Sequence, residues 1–228
     1  MNAAGAFLQA VRAVVWKDLR AEWRSRELLS SMLVFALLVI FIFNFSLELN
    51  PQMRRTITAG ALWVTFVFAG TLGLNRSMAV EKDRGCLDGL LLAPVDRTAI
   101  FFGKMIANLV FMLLVAAIVL PVYALFYNEM RVFQPGLAGV IVLGSIGYTA
   151  VGTLLSSMAV QTRTRDILLP ILLFPVILPL LIAAVKASAG IIGALPLDEI
   201  RPYLNLLVVY DVVFIAVAFM VFDYVVEE

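Results

Sequence analysis

Six apolar runs, each about 20 residues long, restrict this chain more than anything else in it. At 1.5 Å rise per residue such a run crosses a hydrocarbon core roughly 30 Å thick, so the sequence reads as a bundle of membrane-spanning helices. Spans are expected at 29–47, 57–76, 100–126, 136–159, 167–186 and 204–222. The strands of an outer-membrane barrel would instead appear as short alternating segments. Composition agrees: 63% of the 228 residues are hydrophobic and 14% are charged. The fold class is therefore all-α integral membrane protein, a single domain over 1–228.

Orientation follows from the basic residues. Arg12, Lys17, Arg20, Arg24, Arg26, Arg76, Lys82, Arg84, Arg97, Lys104, Arg163 and Arg165 fall on one side of the expected spans, and Arg54, Arg55, Arg131, Lys186 and Arg201 on the other. The richer side is expected in the cytoplasm, together with both termini and the loops at 77–99 and 160–166. The protein is then a multi-pass resident of the cytoplasmic (inner) membrane.

Residues 1–28 are too charged for a signal peptide, and no A-x-A cleavage pattern follows the first apolar run. Within them Val11, Val15 and Leu19 recur at helical spacing beside Trp16 and Trp23, and Lys17, Arg20 and Arg24 occupy other positions. This pattern predicts an interfacial helix, aromatics at headgroup level and basic groups towards anionic lipid.

The 81–94 stretch, EKDRGCLDGLLLAP, carries charge into a chain that otherwise avoids it. Leu87, Leu90 and Leu91 share one helical face, with Glu81, Arg84 and Asp88 on another, which predicts a short amphipathic helix within 77–96. Pro94 should end it, and Asp96 is placed to cap a long helix from Arg97. Such a knob, with leucine anchors and a charged rim, suits the groove of a soluble partner.

Inside the spans, Asn108 and Asp211 stand out as polar groups that cost free energy unless they find a partner, water or the bundle interior. Pro170, Pro175 and Pro179 fall in one span, which is expected to be kinked or locally broken and to lie at a helix contact or cavity. The five glycines of GLAGVIVLGSIGYTAVGTLLSS, and Ala69 with Gly73, predict close helix packing.

The chemistry of hydrolases is missing. Gly103-Lys104 resembles the end of a phosphate loop, but Met105 follows and Thr98 stands where the upstream glycine belongs, so no nucleotide site is expected. Lys104 reads as a lysine snorkelling to the membrane surface. The chain has no histidine, which removes the commonest general base, metal ligand and haem ligand. No enzyme activity, resident metal or nucleic-acid partner is expected.

GALWVTFVFAGTLGLNRSMAVEKDRGCLDGLLLAPVDRTAIFFGKMIAN (60–108) and ILLPILLFPVILPLLIAA (167–184) resemble the CcmB family of cytochrome c maturation, within the ABC-2 class of transporter permeases. The resemblance implies an ABC-2-type fold and a permease role in haem handling. It implies two copies of the chain with a separate ATPase, CcmA, which holds ATP and Mg, and the membrane partners CcmC and CcmD. It also implies that ATP use accompanies export of haem or release of a haem-loaded chaperone. Coupling to the ATPase would fall on Glu81, Gly85, Leu87, Leu90, Leu91 and Pro94, and the elbow before the first span on Trp16, Lys17, Arg20, Trp23 and Arg24. Haem is a substrate of the complex in this reading, its ligation left to another subunit. Competing readings are an ABC-2 permease for a lipid, polysaccharide or drug, and a membrane scaffold that moves nothing.

Overall fold

The computed structural model describes residues 3–46, 51–83, 85, 89, 95–160, 162 and 164–227. Among them are seven α-helices: α1 (Ala3–Ser25), α2 (Glu27–Ser46), α3 (Pro51–Asp83), α4 (Arg97–Tyr127), α5 (Pro135–Ala159), α6 (Arg165–Ile192) and α7 (Leu197–Glu227). A single 3-10 turn, Met130–Phe133, joins α4 to α5. Six helices are long and apolar enough to cross a membrane, at Glu27–Phe45, Ile57–Asp83, Arg97–Tyr127, Pro135–Ala159, Arg165–Ile192 and Leu197–Phe222. The expected spans are all present, and the protein is a multi-pass membrane protein.

Two boundaries move for identifiable reasons. The second span continues to Asp83 because Leu74, Met78 and Glu81 repeat at helical spacing on a buried face, which holds the polar tail NRSMAVEKD in the helix. The sixth span begins at Leu197, with Asp198 and Glu199 in its first turn, where carboxylates favour the helix N-terminus. Of the stretch 77–96 expected to hold a short amphipathic helix, residues 77–83 are the last turns of α3, and the chain turns at Gly85 with φ 65, so any separate helix begins after that turn. A positive φ is inexpensive only for glycine. Leu87, Leu90, Leu91 and Pro94 lie outside the described residues.

Asp96 caps α4 as its position predicts, its side chain accepting from the Thr98 backbone N–H at 2.9 Å. Helices α3 and α5 form the interior, whereas α2, α6 and α7 are mostly exposed along their spans. Trp63 of α3 donates to Ser188 Oγ of α6 at 2.9 Å, and its ring covers Gly144 of α5. Tyr148 of α5 donates to the Val67 carbonyl at 2.9 Å. A side chain at 144 would collide with the indole, and Gly147 and Gly152 are as tightly covered, so these three glycines of α5 serve close packing within one chain.

Helix α6 narrows the expectation of a kinked or locally broken span. It is continuous from Arg165 to Ile192 through Pro170, Pro175 and Pro179, not locally broken. Its buried stripe, Leu169, Leu173, Ile177 and Leu180, sets the span at a helix contact as expected, and leaves Pro175 and Pro179 themselves on the exposed side. The i, i+4, i+8, i+11 spacing of the leucines and isoleucine dictates that arrangement.

Candidate functional site

The last turns of α3 are tied to four other helices by polar side chains. Glu81 pairs with Lys17 of α1 and with Lys104 of α4. Arg76 pairs with Glu27 at the start of α2. Asn75 Nδ2 donates to Asp166 Oδ1 of α6 at 2.8 Å, and Arg165 of α6 grips Asp83 through two bonds of 3.0 Å. The planar guanidinium fork fits a carboxylate in this two-bond geometry. One end of the bundle, the basic end, thus contains α1, the close of α3 and the starts of α4 and α6.

At the centre of this fastening is a buried cluster of opposite charges. Lys104 Nζ lies 2.8 Å from Asp18 Oδ2, with side-chain exposures of 2% and 8%. Lys17 Nζ lies 3.3 Å from Asp18 Oδ1 and completes the ring through Glu81. Burial acts to lower the pKa of the Lys17 ammonium, but Asp18 and Glu81 beside it prevail and hold it above the ordinary lysine value. Lys104 is therefore not snorkelling: it points into the protein, and a buried cation in that position requires the two carboxylates.

Backbone packing brings the cluster together. Helix α1 lies on α4 where Gly103 has no side chain; a Cβ there would stand 2.6 Å from the Cβ of Val14. The pair Gly103-Lys104 thus acts as a docking step, glycine admitting α1 and lysine binding it. The buried face of α1 is Val11, Val14, Asp18 and Glu22, not the expected stripe of Val11, Val15 and Leu19. Trp16 and Trp23 are 64% and 79% exposed, and Lys17, Arg20 and Arg24 are exposed with them. Glu22 has a second task. It accepts from the Leu29 backbone N–H at 2.9 Å and so caps α2, while Arg26, at φ 54, turns the chain between the helices.

A cleft of about 230 Å³ opens beside the cluster, lined by Asp18, Glu22, Arg76, Glu81, Lys104 and Phe111 among others. Among the described residues no group of three or more Cys, Asp or Glu is arranged to hold a metal ion. What the cluster can do is mechanical: charge pairs out of water have strict geometry, so a shift of α3 must carry α1 and α4 with it or break the pairs.

Of the residues singled out in the sequence, Glu81 and Lys17 meet directly, but Glu81 is buried rather than on a charged rim. Gly85 is exposed at the turn after α3. Asn108 lies deeper in α4 and donates to Thr153 Oγ1 of α5 at 3.1 Å, a bond between helices. Asp211 is buried within α7, apart from the cluster. Asp18, Glu22 and Gly103 were missed. The signal for the first two was their register with Val11 and Val14, since positions 11, 14, 18 and 22 lie on one helical face.

The sequence profile of the CcmB protein matches residues 9–227. Among relatives, Heme exporter protein B of Rhodobacter capsulatus is 27% identical over 172 residues, 75% of this chain and 79% of that protein. Heme exporter protein B of Paracoccus denitrificans is 27% identical over 191 residues, 83% of this chain and 88% of that protein. The Escherichia coli K12 protein of the same name is 27% identical over 186 residues, 79% of this chain and 82% of its own length. The similarity takes in α1 and all six spans, and the chain belongs to the CcmB family.

Proposed function

We propose that this chain is the membrane permease subunit of an ATP-driven complex that handles haem during cytochrome c maturation. The relatives' name, Heme exporter protein B, supplies the substrate class. The observation that carries the mechanism is the fastening of residues 75–83 of α3 to α1, α2, α4 and α6. A separate ATPase of the CcmA kind docks on the 85–94 segment, with Leu87, Leu90 and Leu91 as anchors, and holds the ATP and Mg. Its closure moves the end of α3. The buried pairs of Glu81 then transmit that movement to the elbow helix α1 and to α4.

In this reading the basic end faces the cytoplasm, in accord with the excess of Lys and Arg there, and the membrane is the inner one. Two copies of the chain assemble with two ATPase subunits and with CcmC- and CcmD-like membrane proteins. Haem ligation is assigned to a partner, because this chain has no histidine.

Co-expression of the tagged chain with the ATPase tests the docking surface. Leu87→Asp with Leu91→Asp should abolish co-purification while the chain still inserts in the membrane. Retention of the ATPase by that double variant would overturn the assignment. A scaffold that moves nothing is distinguished by ATP hydrolysis in the reconstituted complex, which should respond to substitutions at Glu81.

A further inference from the structure

Asp211 is a buried acid that the coupling scheme does not use. It stands fourteen residues after Leu197, where the last span begins, and eleven before Phe222, where it ends. At 1.5 Å per residue it is about 21 Å from one end and about 16 Å from the other, the middle of the hydrocarbon. It is 5% exposed, and neither carboxyl oxygen makes a well-formed hydrogen bond among the described residues, the backbone N–H of Gly147 being the donor beside it. The polar side chains of Asn108 and Trp63, also within the spans, are bonded, Asn108 to Thr153 and Trp63 to Ser188.

No cation faces it. Its carboxyl packs on Gly147 of α5, and the Leu180 side chain of α6 and the Tyr210 ring crowd the same spot, 2.9 Å and 3.0 Å from where a Cβ of residue 147 would stand. Tyr210, the titratable neighbour, directs its hydroxyl to the Val176 carbonyl at 3.0 Å. Helix α5 has no charged residue. On α6, Arg165 is bonded to Asp83, Asp166 to Asn75, and Lys186 is exposed. On α4, Lys104 is held by Asp18 and Glu81, and Arg97 stands at the first turn. On α7 itself, Arg201 lies near the opposite end from Phe222 and pairs with Asp198.

An ionised carboxylate without a counter-ion or well-formed hydrogen bonds is strongly disfavoured in such a place, whereas the neutral acid is not. We propose that Asp211 is a proton-binding site, occupied when α7 is seated on α5, and that loss of the proton drives α7 away from Gly147. The glycine is the matching half of the site, since any side chain at 147 would occupy the place of the carboxyl. Proton release therefore requires α7 to move far enough for water to reach the acid. The site is independent of the ATPase assignment, because it lies at mid-membrane and shares no residue with the α3 fastening.

Infrared difference spectra of the full chain in lipid vesicles, wild type minus Asp211→Asn, test this directly. The expected result at neutral pH is the carbonyl stretch of a protonated carboxylic acid, unaffected by sodium at constant pH. A difference spectrum showing only the carboxylate stretches would overturn the proposal, as would loss of the acid band on adding sodium, which would make the occupant a metal cation. Thermal melting gives a second reading on the same preparations. The wild type should lose stability as pH rises while Asp211→Asn, which mimics the neutral acid, stays level. Parallel pH profiles would refute the link between proton and helix seating. If Asp211→Asn fails to insert, Asp211→Glu serves instead, its longer side chain shifting the acid band rather than removing it.

Discussion

Asp18 of α1 and Lys104 of α4 meet at 2.8 Å with almost no contact with solvent, and Glu81 of α3 joins them on the same ammonium. Three helices are fastened at one cation. The arrangement gives the elbow helix a fixed relation to the end of α3, the part of the chain that leads into the 85–94 segment.

Removing the cation alone should be costly. Lys104→Met leaves two buried carboxylates with only the half-exposed Lys17 to share, and a loss approaching the roughly 3–5 kcal/mol of a broken buried pair is expected in unfolding measurements in detergent. Replacing all three groups, with Asp18→Asn and Glu81→Gln added, should recover most of it, because the desolvation cost disappears with the charges.

Gly103→Val places new atoms against Val14, where even a Cβ stands only 2.6 Å away. Overpacking there should cost about 1–3 kcal/mol and separate α1 from α4. A cysteine pair introduced on the two helices should then cross-link more slowly than in the parent chain.

Lys17 supplies a pH dependence of definite sign. Its pKa lies above the ordinary 10.5, so its stabilising effect is complete below that value and is lost as pH rises through the higher folded one. The melting difference between wild type and Lys17→Met should be constant from about pH 7 to about pH 10 and shrink above that. The effect should be small, because 42% of the lysine side chain is exposed.

Thr153→Ala removes the acceptor of the Asn108 bond within the membrane. Hydrogen bonds between spanning helices average about 0.6 kcal/mol, so a loss of that order is expected. A loss several times larger would mean that Asn108 serves more than the α4–α5 contact.

Much of the fold was legible because its dominant signal is local. A run of apolar residues of bilayer length specifies a helix whatever its neighbours do, and Asp96 marked the start of α4 by its capping chemistry alone. Glu81 and Lys104 were misread for the opposite reason. A charge near the end of an apolar run looks the same in sequence whether it reaches for water or for a buried partner, and the partner here is brought by another helix. Periodicity alone also misassigned α1. Valines and leucines were expected to define its buried face, but two carboxylates share that face because a lysine waits opposite. The prolines of α6 misled similarly: the lost backbone bonds were predictable, but not that leucines at 169, 173 and 180 would turn Pro175 and Pro179 outward.

Complementation with the triple variant, Asp18→Asn, Glu81→Gln and Lys104→Met together, tests the transmission of movement through this cluster most directly. In a strain lacking the native gene, the variant should fold, remain in the membrane and retain the ATPase in pull-downs, yet form little c-type cytochrome. Normal cytochrome formation by that same variant, with the ATPase bound, would contradict the account.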